Sequence, residues 1–278
     1  MKNVLFTLII SFLFLGTLQS QRNYIEYYQL IEKVKFNKKG DSAIFDLKKA
    51  FASVDYIHIE NLKLGKKIAR KNNDKELLRY CKAELAKSKD NLNQDLKSKL
   101  DSIGEEDQRV RGRKYSKAKN YCYRHLTDST FEYSGKELLK SQQLMREWWS
   151  VDSSNVEYIK YIISKYGYPS EQLVGRKTNR SVGIILLHYD KDTANHIMGE
   201  DLKRALVAGK IDPKTYAWII DRHLMYAGKP QKFYSIPNPW NKMSEEKKME
   251  YNKNRHAIGL KSLDEIKIIV RGNRTIVK

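Results

Sequence analysis

Between Tyr24 and Leu85 apolar side chains return at helical spacing, and the pattern occurs twice. Shifted by thirty-four residues, the segment from Tyr24 falls on the one from His58: Ile25 on Ile59, Leu30 on Leu64, Val34 on Ile68, Leu47 on Cys81 and Phe51 on Leu85. Polar breaks at 37–41 and 72–74 divide each copy into two helices, so each copy reads as a helix pair. Such a pair cannot bury its apolar stripe without a neighbour, and a third helix over 92–109 is expected to cap the stack.

From Gly112 to Ser134 the periodicity fails. Tyr115, Tyr121, Cys122, Tyr123, His125, Phe131 and Tyr133 lie among basic and small polar residues, which reads as an irregular linker packing by its aromatics. Helical signals then return. Ser154 with Glu157 has the spacing of a capping box, and Gly167 followed by Pro169 stops the helix. Residues 181–187 and 194–207 read as two more helices. Asp212 before Pro213 starts another, with Tyr216, Ile219, Ile220 and Met225 as its buried stripe and Gly228 and Pro230 as its stop. Residues 266–270 and 275–277, around Gly272-Asn273, predict a small C-terminal hairpin. The fold class expected is all-α: helix-pair repeats over 21–109, an aromatic-rich linker over 110–133 and a helical domain over 134–278.

The first twenty residues have a different character. Lys2, the apolar run from Val4 to Leu15, then Gly16, Thr17 and Ser20 before Gln21 form the three regions of a secretory signal, so the mature protein is expected to be periplasmic or secreted. The apolar run is short for a bilayer span, which needs about 20 residues, and no cysteine near the cut invites lipidation. Once processed, the chain is expected to carry no transmembrane span.

A net charge of +20 with 31% charged residues favours anionic partners such as an acidic envelope polymer. The cations are spread along every helix, however, which is also how solvated faces look, and no signature of a nucleic-acid-binding module occurs. Two cysteines, Cys81 and Cys122, exclude a disulfide scaffold but leave a single bridge and two free thiols both open.

Two resemblances follow from these residues. Tyr27, Leu30, Val34, Ala43, Leu47 and Ala50, with the Leu64-Gly65 step, resemble degenerate tetratricopeptide repeats over about 70 residues, which implies a groove for a protein or peptide. Further on come Asp107-Gln108, Asp152, Asn155, Gly167-Tyr168-Pro169, Val174-Gly175, His188 with Asp190, Asp221-Arg222, Gly228 with Gln231 and Tyr234, and Asn254-Arg255 before Gly259-Leu260. In that order they resemble an uncharacterised bacterial domain of unknown function, over residues 107–260. It is predominantly helical, often exported, and in some members preceded by helical repeats. The resemblance supplies positions and no reaction. Ser235-Ile236-Pro237 stands where such domains commonly read Gly-Thr-Gln after the tyrosine.

Candidate chemistry centres on His188 and Asp190, since a carboxylate near an imidazole orients it for proton transfer or metal ligation. The plainer alternative is a helix-end histidine with Asp190 capping the next helix. Asp221 either forms a structural ion pair or faces His188 across a cleft. Asn155, Arg222, Gln231, Tyr234 and Arg255 are candidate ligand-binding groups. There is no Gly-x-Ser-x-Gly elbow, phosphate loop, dinucleotide fingerprint or His-Glu-x-x-His pair, so no cofactor and no metal is implied. The function expected is binding or scaffolding in the cell envelope. The alternative is a hydrolytic enzyme using a His/Asp cleft.

Overall fold

The structure is a computed structural model that describes residues 24–36, 40–88, 90–188, 198–236, 243–265, 268–271 and 274–277. The segment expected to be a leader and Asp190 lie outside the described residues. The protein is all-α apart from one small hairpin.

The chain opens on α1 (Tyr24–Phe36), α2 (Asp41–Ala52), α3 (Ile59–Lys71) and α4 (Lys75–Lys87). On α1 the buried residues are Tyr24, Tyr27, Tyr28, Ile31 and Val34, a single stripe at three- and four-residue spacing. It packs on α2, and α3 packs on α4. Gly65 explains how the pairs close on one another. A Cβ there would stand 2.8 Å from the Cys81 sulfur and 3.0 Å from the Phe51 ring, so only glycine lets α3 approach both neighbours. Cys81 is buried and free, and burial pushes its thiol up to about 11. Cys122 is also free.

The helix expected to cap this stack is α5 (Gln94–Arg109), begun by the Asn93 side chain accepting from the Leu96 amide at 2.9 Å. Its main packing partners lie in the second half of the chain. There α6 (Arg113–Thr127) and α7 (Gly135–Tyr166) form a helical hairpin, followed by the single turn α8 (Glu171–Val174) and α9 (Arg176–His188). α10 (Gly199–Val207), α11 (Pro213–Tyr226), α12 (Glu245–His256) and a 3₁₀ turn (Leu263–Glu265) complete the helices. β1 (Ile268–Arg271) then pairs antiparallel with β2 (Arg274–Val277), Ile268 opposite Val277.

Three expectations need correction. The linker expected over 110–133 contains α6, because Tyr115, Ala118, Cys122 and His125 recur at helical spacing, the first two buried and the last two half-buried, with Tyr115 packed edge-on against Trp148 of α7. That stripe is aromatic and small where a periodicity search looks for aliphatic side chains. Ser154 and Glu157 start nothing, since α7 runs unbroken for 32 residues and the capping spacing falls in its interior. The stop at Gly167 holds: it takes a φ of 72° just past the helix. Asp212 caps α11 by accepting from the Lys214 and Thr215 amides, each at 3.0 Å, but Met225 is exposed and leaves the stripe.

The core is continuous across residue 109. Tyr24, Tyr27 and Tyr28 belong to the same buried cluster as Ile159, Leu206 and Ile219. The Tyr28 hydroxyl donates to the Ile211 carbonyl at 3.2 Å, and Gly259 lies against the Tyr28 side chain. Gly209, at a φ of +69°, lies so close to the Tyr24 ring that a Cβ would stand 2.3 Å from its nearest atom. Gly209→Ala combines that clash with left-handed strain and is expected to cost about 3 kcal/mol or more, read as a loss of roughly 6–12 °C in Tm. An unchanged Tm would show that the contact between the halves is loose.

Candidate functional site

At the end of α5 the chain places Asp107 and Gln108, and the following turn brings Arg111 back over them. α7 contributes Trp148, Asp152 and Asn155, which share one helix face at four- and three-residue spacing. α9 ends on His188. These three elements converge on one polar cluster.

Its centre is Asp107, of which 1% of the side chain is exposed. His188 Nδ1 lies 3.2 Å from its Oδ2, and the imidazole keeps 26% of its surface in solvent. Arg111 reaches Asp107 Oδ1 at 2.8 Å with one guanidinium nitrogen and donates through the other to Asp152 Oδ1 at 2.8 Å. Gln108 donates to Asp107 Oδ2 at 2.8 Å. The Trp148 indole N–H donates to Asp152 Oδ2 at 2.9 Å, and the guanidinium lies over that indole. Burial pushes the Asp152 carboxyl above the usual carboxylate range against the pull of Arg111. Asn155 ties the two helices by donating to the Ile103 carbonyl at 3.3 Å. Among the described residues His188 Nε2 has no hydrogen-bond partner. The arrangement is therefore an imidazole oriented by a buried, pinned carboxylate, a pairing of the kind that proton transfer uses.

Asp221 is elsewhere. It is fully buried on α11, and both oxygens face the loop after the helix. Oδ1 accepts from the Lys232 and Phe233 amides at 2.7 and 2.9 Å, and Oδ2 from the Ser235 amide at 2.7 Å. The structure thus gives His188 a different carboxylate, Asp107, and makes Asp221 the anchor of a loop. Arg222 lies over the Tyr226 ring. Gln231 closes the same loop, donating to the Ile236 carbonyl and accepting from its amide, both at 3.0 Å. Arg255 donates to the Phe233 carbonyl at 3.0 Å and the Lys261 carbonyl at 2.8 Å. Burial pulls its guanidinium down to about 10.

Tyr234 and Arg255 also line a cleft of about 1000 Å³, the upper end of the range of roughly 300–1,000 Å³ usual for ligand sites. Its walls come from both halves of the chain. Tyr28, His58, Leu64 and Lys67 contribute from the N-terminal helix pairs, and Arg180, Lys214 and Trp218 from α9 and α11. Glu171 holds the two walls in register, accepting from the Ile59 amide at 2.6 Å and the Tyr56 hydroxyl at 3.0 Å. His58 packs against the Tyr28 ring, and burial lowers its tendency to protonate. Arg180 and His188 stand eight positions apart on α9, about 12 Å along its axis, so cleft and polar cluster are separate sites.

Sequence reasoning singled out His188 and missed its partner, although Asp107 stood in the motif series. It did not find the cleft, whose lining is scattered over residues 28–263. Among the described residues no three metal-ligating side chains gather in one place, and no helix is long and apolar enough to cross a membrane.

A family model described as a family of unknown function (DUF6624) matches residues 117–265, more than half of the chain. No curated protein and no solved structure matches it.

Proposed function

The chain belongs to the DUF6624 family of unknown function, and we propose that it is an exported binding protein of the cell envelope whose ligand occupies the cleft between the N-terminal helix pairs and the C-terminal half. One observation carries this reading: the cleft is large and draws its lining from both halves, so a bound molecule touches each. The tetratricopeptide resemblance supports a peptide-sized groove, and the leader sequence supports the location. The test is to fill the cleft. Leu64 is half-buried on its wall, and Leu64→Trp should abolish retention of whatever the mature protein captures from envelope extract while Tm stays within about 3 °C. Equal capture by both proteins rejects the cleft. The recovered protein should begin within a few residues of Gln21; an intact leader on cytosolic protein rejects export.

A second reading, hydrolysis, is favoured by the contact of His188 with Asp107. An imidazole so oriented contributes about 10²–10⁴-fold to a proton-transfer step. His188→Asn should reduce any hydrolytic turnover found in a substrate screen by that factor without loss of fold. A variant that melts early and turns over normally would leave His188 a structural residue.

A further inference from the structure

We infer that the ligand of the cleft is an acidic, amphipathic peptide segment, an inference that rests on the cleft-binding reading above. The charge balance of the lining is one-sided: eight lysine and arginine side chains stand against four carboxylates. Each carboxylate already has a partner. Glu60 is bridged by Lys63 and Arg176, each at 3.1 Å, and Glu32 is held by Lys35 at 2.7 Å. Glu171 takes the Ile59 amide and the Tyr56 hydroxyl, and Asp212 caps α11.

Five cations of the lining have no ion pair among the described residues; Arg255 is taken up by two backbone carbonyls, which leaves Lys67, Arg180, Lys214 and Lys261. In a chain of net charge +20 lone cations are expected over the whole surface. These four differ in position: they project from α3, α9, α11 and the turn after α12 around one depression. No carboxylate of the described residues answers them, and a bound anion would.

The floor narrows the choice. Leu64 and Trp218 present apolar surface in the cleft, and Trp218, anchored by its indole N–H donating to the Ser235 carbonyl at 2.9 Å, stays half-exposed. A small inorganic anion uses neither this floor nor the volume. An acidic glycan matches the cations but brings mostly hydroxyls to the floor, leaving their hydration to be given up without return. A peptide that alternates carboxylate and apolar side chains satisfies both, with charge setting its approach and register and apolar anchors supplying most of the affinity.

The experiment uses the whole mature protein and a fluorescent short peptide alternating Glu with Leu and Phe. The counterpart peptide carries Lys in place of Glu, and an acidic oligosaccharide and anionic vesicles serve as the other probes. The acidic peptide should bind and its lysine counterpart should not. The triple variant Lys67→Glu, Arg180→Glu, Lys214→Glu, all at exposed positions, should weaken binding by roughly a hundredfold with an unchanged Tm. Trp218→Ala should weaken it as well. If the oligosaccharide or the vesicles bind in a Trp218-dependent way and the peptide does not, the ligand class assigned here is wrong and the cleft reading survives. If none of the probes binds and the Leu64→Trp protein captures the same extract components as the unaltered one, both readings fall.

Discussion

Replacing Asp221 by alanine should lower the unfolding free energy by about 3–5 kcal/mol, a fall of roughly 6–20 °C in Tm, because three amides lose a charged acceptor at once. Each of these N–H groups belongs to the stretch 232–235, and the carboxylate that collects them has no exposed surface. Water can reach the vacated site only if the loop opens. Asp221→Asn keeps one carbonyl oxygen for the Lys232 and Phe233 amides but turns an NH₂ toward the Ser235 amide, donor against donor, so about half of the loss should remain. Denaturant melts of both variants measure this. The same loop brings Tyr234 and Ser235 to the cleft, so a partly loosened loop should also weaken ligand capture. If Asp221→Asn instead left the melt unchanged and removed a catalytic activity, the loop-anchor role would be refuted.

Arg111→Met should be nearly as damaging, by about 3–5 kcal/mol at neutral pH, since it leaves two buried carboxylates facing one another without their shared cation. The methionine fills much of the space over Trp148, which isolates the charge effect from loss of packing. The pH dependence gives the signature. Without Arg111 the Asp152 carboxyl loses the cation that opposes the upward push of burial, so the penalty is fully present while that carboxylate is charged and is relieved as pH falls and it takes up a proton. Burial already pushes Asp152 in that direction. The stability gap between variant and parent should therefore narrow as the solution is acidified from neutral pH. A gap that stays constant from pH 7 to pH 4 would mean that the guanidinium acts by packing alone.

The sequence was readable where a structural decision is local. Asp212-Pro213 starts a helix whatever surrounds it, and Gly167 ends one because its backbone turns left-handed there. α6 escaped because its inward stripe, Tyr115, Ala118, Cys122 and His125, is not aliphatic; read for helical spacing alone, it was present. Ser154 and Glu157 misled for the opposite reason, since a capping spacing says nothing about whether the preceding residues are already helical.

The site was half legible. His188 was visible as an imidazole closing an apolar run, but the choice between Asp107 and Asp221 as its partner depends on how α5, α9 and α11 are arranged, with Asp107 81 positions away along the chain. Arg111 drew no attention, being one cation among fifty-three lysines and arginines. The cleft needs the two halves docked before it exists, so no local pattern announces it.

That docking also decides what the chain can do without. The aromatic rings of the first helix fill sockets whose walls, at Gly209, Ile211 and Gly259, lie some 180 to 230 positions downstream. Shorn of its leading helices, the family-matched span would be left with open aromatic-shaped hollows facing water. In this chain the opening segment is therefore part of one shared core with that span.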